Sequence, residues 1–188
     1  VRDITKSFGP TRAVDGISFS IEPGEIVGFL GPNGAGKTTT LRILTCYLPA
    51  TSGEASVAGF DVFRQSAEVR RRIGYLPENV PLYREMRVRE YLAYRAALKR
   101  VPRKHRDEQI ELALSQVRIT DHAERIIGHL SKGYRQRVGL ADSLVHDPDV
   151  LILDEPTVGL DPNQVREVRE LVKDLAEKRT VLFSTHVI

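Results

Sequence analysis

Ile26-Val27-Gly28-Phe29-Leu30 and Val150-Leu151-Ile152-Leu153 are short apolar runs, and Thr180 to Phe183 is nearly so. Such runs predict strands buried on both faces, as in a parallel sheet. Ile17, Phe19 and Ile21 alternate with Ser18, Ser20 and Glu22, which predicts a half-exposed strand, and Pro23-Gly24 supplies a turn after it. Ala55 to Ala58 is a further short strand candidate. The first third therefore reads as a small antiparallel sheet wrapped around the strand at 26–30. Ile73-Gly74-Tyr75-Leu76 is another strand, ended by Pro77.

The period then changes. Val88, Tyr91, Leu92 and Arg95 recur at helical spacing, as do Ile110, Ala113, Leu114 and Val117, with Pro102 between the two sets. Val138, Ala141 and Val145 continue a third stripe, and Val165, Val168, Val172 and Leu175 a fourth. No repeat or low-complexity segment interrupts the pattern. The expected fold class is α/β, with a mostly parallel core sheet, a small N-terminal antiparallel β subdomain and a helical insert. The expected division is residues 1–77 with 129–188 as the core and 78–128 as the helical subdomain.

Composition narrows the picture only a little. The chain has 188 residues, 41% hydrophobic and 28% charged, within the range of an ordinary globular domain. A net charge of +3 is too small to argue for nucleic acid. The sharpest basic cluster is Lys99, Arg100, Arg103, Lys104, His105 and Arg106. It reads as a solvated helix end, with an acidic partner or lipid head groups as the alternative. A single cysteine, Cys46, excludes a disulfide framework and a thiolate-rich zinc site. It sits in an apolar pattern that suggests a buried core thiol. No apolar run approaches a membrane span and no signal peptide is visible, so a cytoplasmic chain is expected. The chain starts at Val1 rather than Met, as a trimmed fragment would.

Gly31-Pro32-Asn33-Gly34-Ala35-Gly36-Lys37-Thr38 fits G-x-x-x-x-G-K-[ST]. It follows a predicted strand and precedes Thr39-Thr40-Leu41-Arg42-Ile43-Leu44, which can start a helix. Glycines let successive N–H groups turn inward onto phosphate oxygens, and the helix adds its positive N-terminal end. Lys37 can reach the outer phosphates of a nucleotide, and the Thr38 hydroxyl can ligate Mg²⁺.

Asp154-Glu155 ends a predicted core strand, at the edge where open α/β sheets bind ligands. Adjacent carboxylates there are costly unless they hold a cation or a reacting water, or bond to turn amides. Asp154 suits Mg²⁺, and Glu155 suits polarising an attacking water. The next strand delivers Ser184-Thr185-His186 to the same edge, where His186 is either structural or catalytic. Ser131 of Leu130-Ser131-Lys132-Gly133-Tyr134-Arg135-Gln136 is a helix N-cap, with or without a second anion site. Asp161 followed by Pro162 is a helix start. Phe8 is either core or a stacking surface.

Together these motifs resemble the ATP-binding cassette of ABC transporters, a P-loop NTPase family, over essentially the whole chain. Gly31 to Thr38 is similar to the Walker A loop, and Val150 to Glu155 to Walker B with its catalytic glutamate. Leu130 to Gln136 is similar to the signature motif, Gly159-Leu160-Asp161 to the D-loop, and His186 to the switch histidine. Phe8 stands where the family places its base-stacking aromatic.

The resemblance implies ATP and Mg²⁺ as cofactors. It implies nucleotide contacts from Phe8, Gly31 to Thr39, Ser131 and Gly133, metal contacts from Thr38, Asp154 and Glu78, and catalysis by Glu155 and His186. It implies a head-to-tail pair with a second cassette, and transmembrane permease subunits as partners. Membrane contact would then come only through the partner, at the inner face of the cell membrane, with no direct nucleic acid. Glu78 departs from the family's usual Gln, and Lys132 and Tyr134 depart from its usual signature. The phrases at 74–79 and 130–136 look similar to exporter-type cassettes, including drug-resistance and gliding-motility ATPases. Such cassettes run on past the switch histidine, so Ile188 is not expected to be the natural end.

Two other classes compete. Soluble relatives acting on DNA usually separate the two phosphate motifs by coiled coils or zinc modules. Here only about a hundred residues lie between Gly31 and Leu130, without a heptad run or cysteine pair. Relatives acting on ribosomes usually carry two cassettes. A P-loop kinase or GTPase leaves Leu130 to Gln136 and His186 unexplained.

Overall fold

The computed structural model describes residues 1–186. Ile188, expected above not to be the natural C-terminus, lies outside the described residues.

Four parallel strands make the central sheet: β3 (Ile26–Leu30), β9 (Thr180–Thr185), β8 (Val150–Leu153) and β7 (Ile73–Leu76), in the order β3-β9-β8-β7. Their register pairs Leu30 with Thr185, Leu153 with Phe183 and Leu76 with Leu153. All four therefore end on one edge. Gly31, His186, Asp154 and Pro77 are the residues that leave that edge.

Side chains alternate across a strand, so β7, β8 and β9 each feed two cores, while β3 feeds one through Val27 and Phe29 and leaves Ile26 and Leu30 exposed on its other face. Leu151, Leu153 and Val181 face one cluster; Ile152 and Leu182 face the other. The second cluster holds Leu41 and Ile43 of α1 (Lys37–Leu44) with Ile4 and Val14. Ile4 and Val14 belong to a separate antiparallel sheet, ordered β2-β1-β4, of β1 (Arg2–Phe8), β2 (Thr11–Ile17) and β4 (Ser52–Glu54). β5 (Ser56–Val57) and β6 (Phe60–Asp61) form a small ribbon beside it, and α2 (Ser66–Arg72) leads into β7.

The antiparallel sheet shares no ladder with β3 but packs with it and with α1 in one core, where Val27 and Phe29 join Ile4, Val14 and Leu41. One expectation needs correction here. The alternating stretch 17–21 is not a strand, because regular pairing stops at Ile17. The alternation still reports burial. Val1 and Phe19 exchange two backbone hydrogen bonds of 3.0 and 3.2 Å, and the Phe19 ring meets Phe29 edge-on at 5.0 Å.

The first cluster is built by α3 (Val88–Leu98), α4 (Arg106–Gln116), α5 (Lys132–Leu144) and α6 (Pro162–Ala176). Tyr91, Leu92, Ile110 and Leu114 share it with Val138 and Leu144 of α5 and with Leu151 and Val181 of the sheet. Each such buried side chain contributes about 1.5–3 kcal/mol. α5 thus joins the helices at 88–116 to the sheet through one continuous core.

The basic cluster is not uniformly solvated. Arg103 and Lys104 are exposed, but the Lys99 ammonium turns inward to Asp142, 3.1 Å from its Oδ1. Arg95 Nε donates to the same oxygen at 2.8 Å. Burial pulls the Lys99 ammonium down from its ordinary pKa, against the pull of Asp142. Burial alone would raise Asp142, but Lys99 and Arg95 overcome it and hold the carboxyl low. Cys46 is half-buried at the end of α1 rather than a core thiol, and burial raises its pKa. No helix among the described residues is long and apolar enough to cross a membrane.

Candidate functional site

β3 delivers the chain to Gly31, and α1 begins at Lys37. Between them Gly34 and Gly36 both take φ of +85°, a conformation that side chains resist. Gly36 is also pressed on β2: a Cβ there would run into the Ala13 carbonyl. Gly36 is the N-cap of α1, so no side chain caps that helix, and its first turn holds no carboxylate. Its leading N–H groups are therefore available to an anion. Pro32, Asn33, Gly34 and Ala35 are exposed around the turn, and Thr39 is half-buried on α1. Lys37 curls back over the loop, donating from Nζ to the carbonyls of Gly31 at 2.6 Å and Pro32 at 3.1 Å.

Asp154 and Glu155 follow β8 and are 1% and 7% exposed. Asp154 Oδ1 accepts from the Thr38 hydroxyl at 3.0 Å and from the Ser184 hydroxyl at 2.7 Å. Its Oδ2 is buried without a hydrogen-bond partner. Glu155 Oε1 is likewise buried without a hydrogen bond, 3.5 Å from the Lys37 ammonium. Glu155 Oε2 lies 2.8 Å from His186 Nδ1, and since a carboxylate only accepts, that nitrogen carries the proton. The Glu155 backbone sits at φ +48°, a strained conformation for a residue with a side chain. Loop lysine, carboxylate pair and histidine thus meet at one sheet edge.

Two buried carboxylates beside one ammonium leave uncompensated negative charge, which is costly in a protein interior. The Asp154 carboxylate, bonded to the Thr38 hydroxyl through Oδ1 and with Oδ2 unpartnered, makes with that hydroxyl an oxygen donor set of the kind Mg²⁺ takes. Among the described residues no group of three or more His, Cys, Asp or Glu could hold a metal by itself. Mg²⁺ here would complete its shell with phosphate and water oxygens, as it commonly does. Tyr75 on β7 lies close enough to feel this charge: burial, with Asp154 adding, pushes its phenol up to about 12.

The other expected site residues lie outside this knot. Glu78 is on an exposed bend just past β7, one strand over, where the Asp154 amide donates to the Leu76 carbonyl at 2.8 Å. Phe8 ends β1 and is 49% exposed, with Lys6 Nζ 5.1 Å from its ring centre. Ser131 is the N-cap of α5, accepting from the Tyr134 amide at 3.4 Å. Gly133 is buried against α6, where a Cβ would stand 2.8 Å from Gln164 Cδ. The Lys132 side chain lies across Gly159. Asp161 caps α6, accepting from the amides of Asn163 and Gln164 at 3.0 Å each. No hydrogen bond or ion pair joins Ser131 or Gly133 to the loop at 31–38 among the described residues. Sequence reasoning gave Ser184 no role, although a serine directly after the apolar run Val181-Leu182-Phe183 and two residues before His186 was a usable signal.

Comparison with known proteins gives one answer. The sequence profile of the family described as "ABC transporter" matches residues 14–158. The bacitracin transport ATP-binding protein BcrA of Bacillus licheniformis is 38% identical over 99% of this chain, which spans 60% of that protein. The ABC transporter ATP-binding protein NatA of Bacillus subtilis is 42% identical over 94% of this chain, which spans 73% of it. The ATP-binding cassette MJ0796, in a dimeric post-hydrolysis state bound to ADP and Pi, superposes with a TM-score of 0.86. That match has 26% identity and covers 99% of this chain and 87% of MJ0796. With its phosphate loop, strand-end carboxylates and histidine on one sheet edge, the chain belongs to the ABC transporter family, as an ATP-binding cassette.

Proposed function

We propose that this chain binds Mg²⁺–ATP, hydrolyses it to ADP and phosphate, and energises a membrane exporter. The observation that carries the reading is the buried Asp154–Glu155 pair, each carboxylate keeping one oxygen without a hydrogen bond, that of Glu155 facing Lys37. The names of BcrA and NatA support the transporter setting, and the exporter-like phrases at 74–79 and 130–136 support export.

The loop amides and the start of α1 would bind the phosphates, with Lys37 on the outer ones and Phe8 stacking on the base. Thr38 and Asp154 would hold Mg²⁺, with Glu78 reaching it directly or through water; the ion supplies charge neutralisation of the phosphates. Glu155 orients a water and draws on its proton as the water oxygen attacks the γ-phosphorus and the bond to the β–γ bridging oxygen breaks. His186 holds Glu155 by its Nδ1–H. Positioning and fixed charge do most of the catalysis in such transfers.

The division of labour is residues 1–77 with 129–188 as the nucleotide-binding part and 78–128 as the helical part. Ser131 and Gly133 would contact the nucleotide held by a second cassette, so that a head-to-tail pair completes each site. Transmembrane permease subunits would be the further partners, placing the chain at the inner face of the membrane. No observation favours a soluble ATPase acting on DNA or ribosomes.

The test is phosphate release from Mg²⁺–ATP by the full-length protein with its membrane partner. Expected is turnover that Glu155→Gln abolishes without abolishing ATP binding. Turnover equal in the two proteins would overturn the assignment.

A further inference from the structure

We propose that Ser184 is a positioning residue whose one hydroxyl holds both Asp154 and the Glu155 backbone in their working geometry. The inference rests on the hydrolysis reading above for its consequence, and on geometry for its mechanism.

Ser184 is fully buried on β9, the strand between β3 and β8. The register pairs its neighbour Phe183 with Leu153 on one side and Ser184 itself with Phe29 on the other. It therefore stands level with the end of the phosphate-loop strand and beside the carboxylates. Its Oγ lies 2.9 Å from the Glu155 amide nitrogen and 2.7 Å from Asp154 Oδ1.

These contacts fix the direction of the bonds. An amide N–H only donates, so the hydroxyl oxygen accepts from Glu155 and its single proton goes to Asp154. With Thr38 donating to the same oxygen, Oδ1 is held by two hydroxyls and Oδ2 is left free. Glu155 has left the ladder, which ends at Leu153, and its backbone is left-handed. Ser184 supplies the acceptor that its amide lost with the ladder. Remove the hydroxyl and a buried amide loses its partner while Asp154 loses one of its two anchors. The strained turn that aims Glu155 at Lys37 and His186 then has less to hold it.

The test separates hydroxyl from shape. Ser184→Thr and Ser184→Val have nearly the same volume, and only the first keeps a hydroxyl. Expected is a kcat for Ser184→Val ~10- to 100-fold below that of Ser184→Thr, the range usual for outer-shell groups at metal sites. The KM for ATP should differ little between them, and Ser184→Val should need more Mg²⁺ for half-maximal rate. Independently of turnover, residue-resolved hydrogen exchange of the full-length protein should show the Glu155 amide exchanging about tenfold faster in Ser184→Val than in Ser184→Thr. Leu153 should be unchanged. Equal Glu155 exchange in the two variants, or equal kcat and Mg²⁺ dependence, would overturn the proposal. Wild-type protein without ATPase activity would instead overturn the functional reading, and the exchange measurement would still decide what Ser184 holds.

Discussion

Nδ1 of His186 lies 2.8 Å from Oε2 of Glu155, so the residue just past β9 and the residue two past the end of β8 form one hydrogen-bonded unit. The other carboxylate oxygen faces Lys37 at 3.5 Å. Glu155 is thereby held from two sides, and its carboxylate has few directions left to turn.

The first expectation concerns that carboxylate. Glu155→Gln keeps the shape and loses the basic oxygen. Steady-state phosphate release should fall by roughly 100-fold or more, the scale of a lost general base. ATP affinity, measured by equilibrium titration, should change only a few-fold. A variant that turns over at the parent rate would remove Glu155 from the chemistry.

Lys37→Ala acts on binding instead. The ammonium is held against the loop carbonyls of Gly31 and Pro32 and against Glu155. Its loss should weaken ATP binding roughly 10- to 100-fold, as expected for a lost charge-assisted contact. Titration with a fluorescent ATP analogue measures this, and an unaltered Kd would contradict the phosphate-loop assignment.

His146 should make stability depend on pH. Its Nε2 donates to the Ile73 carbonyl at 2.9 Å, while Nδ1 is buried with no partner. Burial, and then the charge of Lys99, lower its pKa to about 4; Ile73, Asp142 and Asp147 pull weakly the other way. The unfolded chain takes a proton near the ordinary value of 6.5, and the folded one resists it. Stability is therefore fully present above pH 6.5 and is lost as pH falls towards 4, by about 3 kcal/mol from this group. Urea unfolding at stepped pH should show that slope in the parent and a flatter one in His146→Gln. Parallel profiles would rule it out.

The Asp142 cluster should be costly to break from one side. Asp142→Asn leaves Lys99 and Arg95 inside with no carboxylate. The expected loss is about 3 kcal/mol, since an orphaned buried charge costs more than the pair contributes. Lys99→Met on that background should recover part of it. Urea midpoints of the single and double variants decide the matter.

Much of this was legible beforehand, for identifiable reasons. β8 announced itself because a strand buried on both faces is apolar throughout; β3 shows the same apolar run, yet its Ile26 and Leu30 are 48% and 60% exposed, so the run located that strand and overstated its burial. The loop at 31–38 was legible because its glycines answer a steric demand that few residues satisfy. What stayed hidden was set by partners far along the chain. The alternation at 17–21 correctly reported which side chains are covered, but burial does not require a ladder. Lys99 looked like a surface cation because nothing local reveals Asp142, brought alongside by α5. Ser184 looked incidental because its role depends on the register of β9 against β8.

That register has a wider effect. Slide β9 by a single residue and Ser184 and His186 leave Asp154 and Glu155 together, while Val181 and Leu182 exchange cores. The same interlocking teeth that exclude water from the interior also align the groups at the rim, so no misaligned version of this sheet can be both well packed and set in the geometry proposed for hydrolysis.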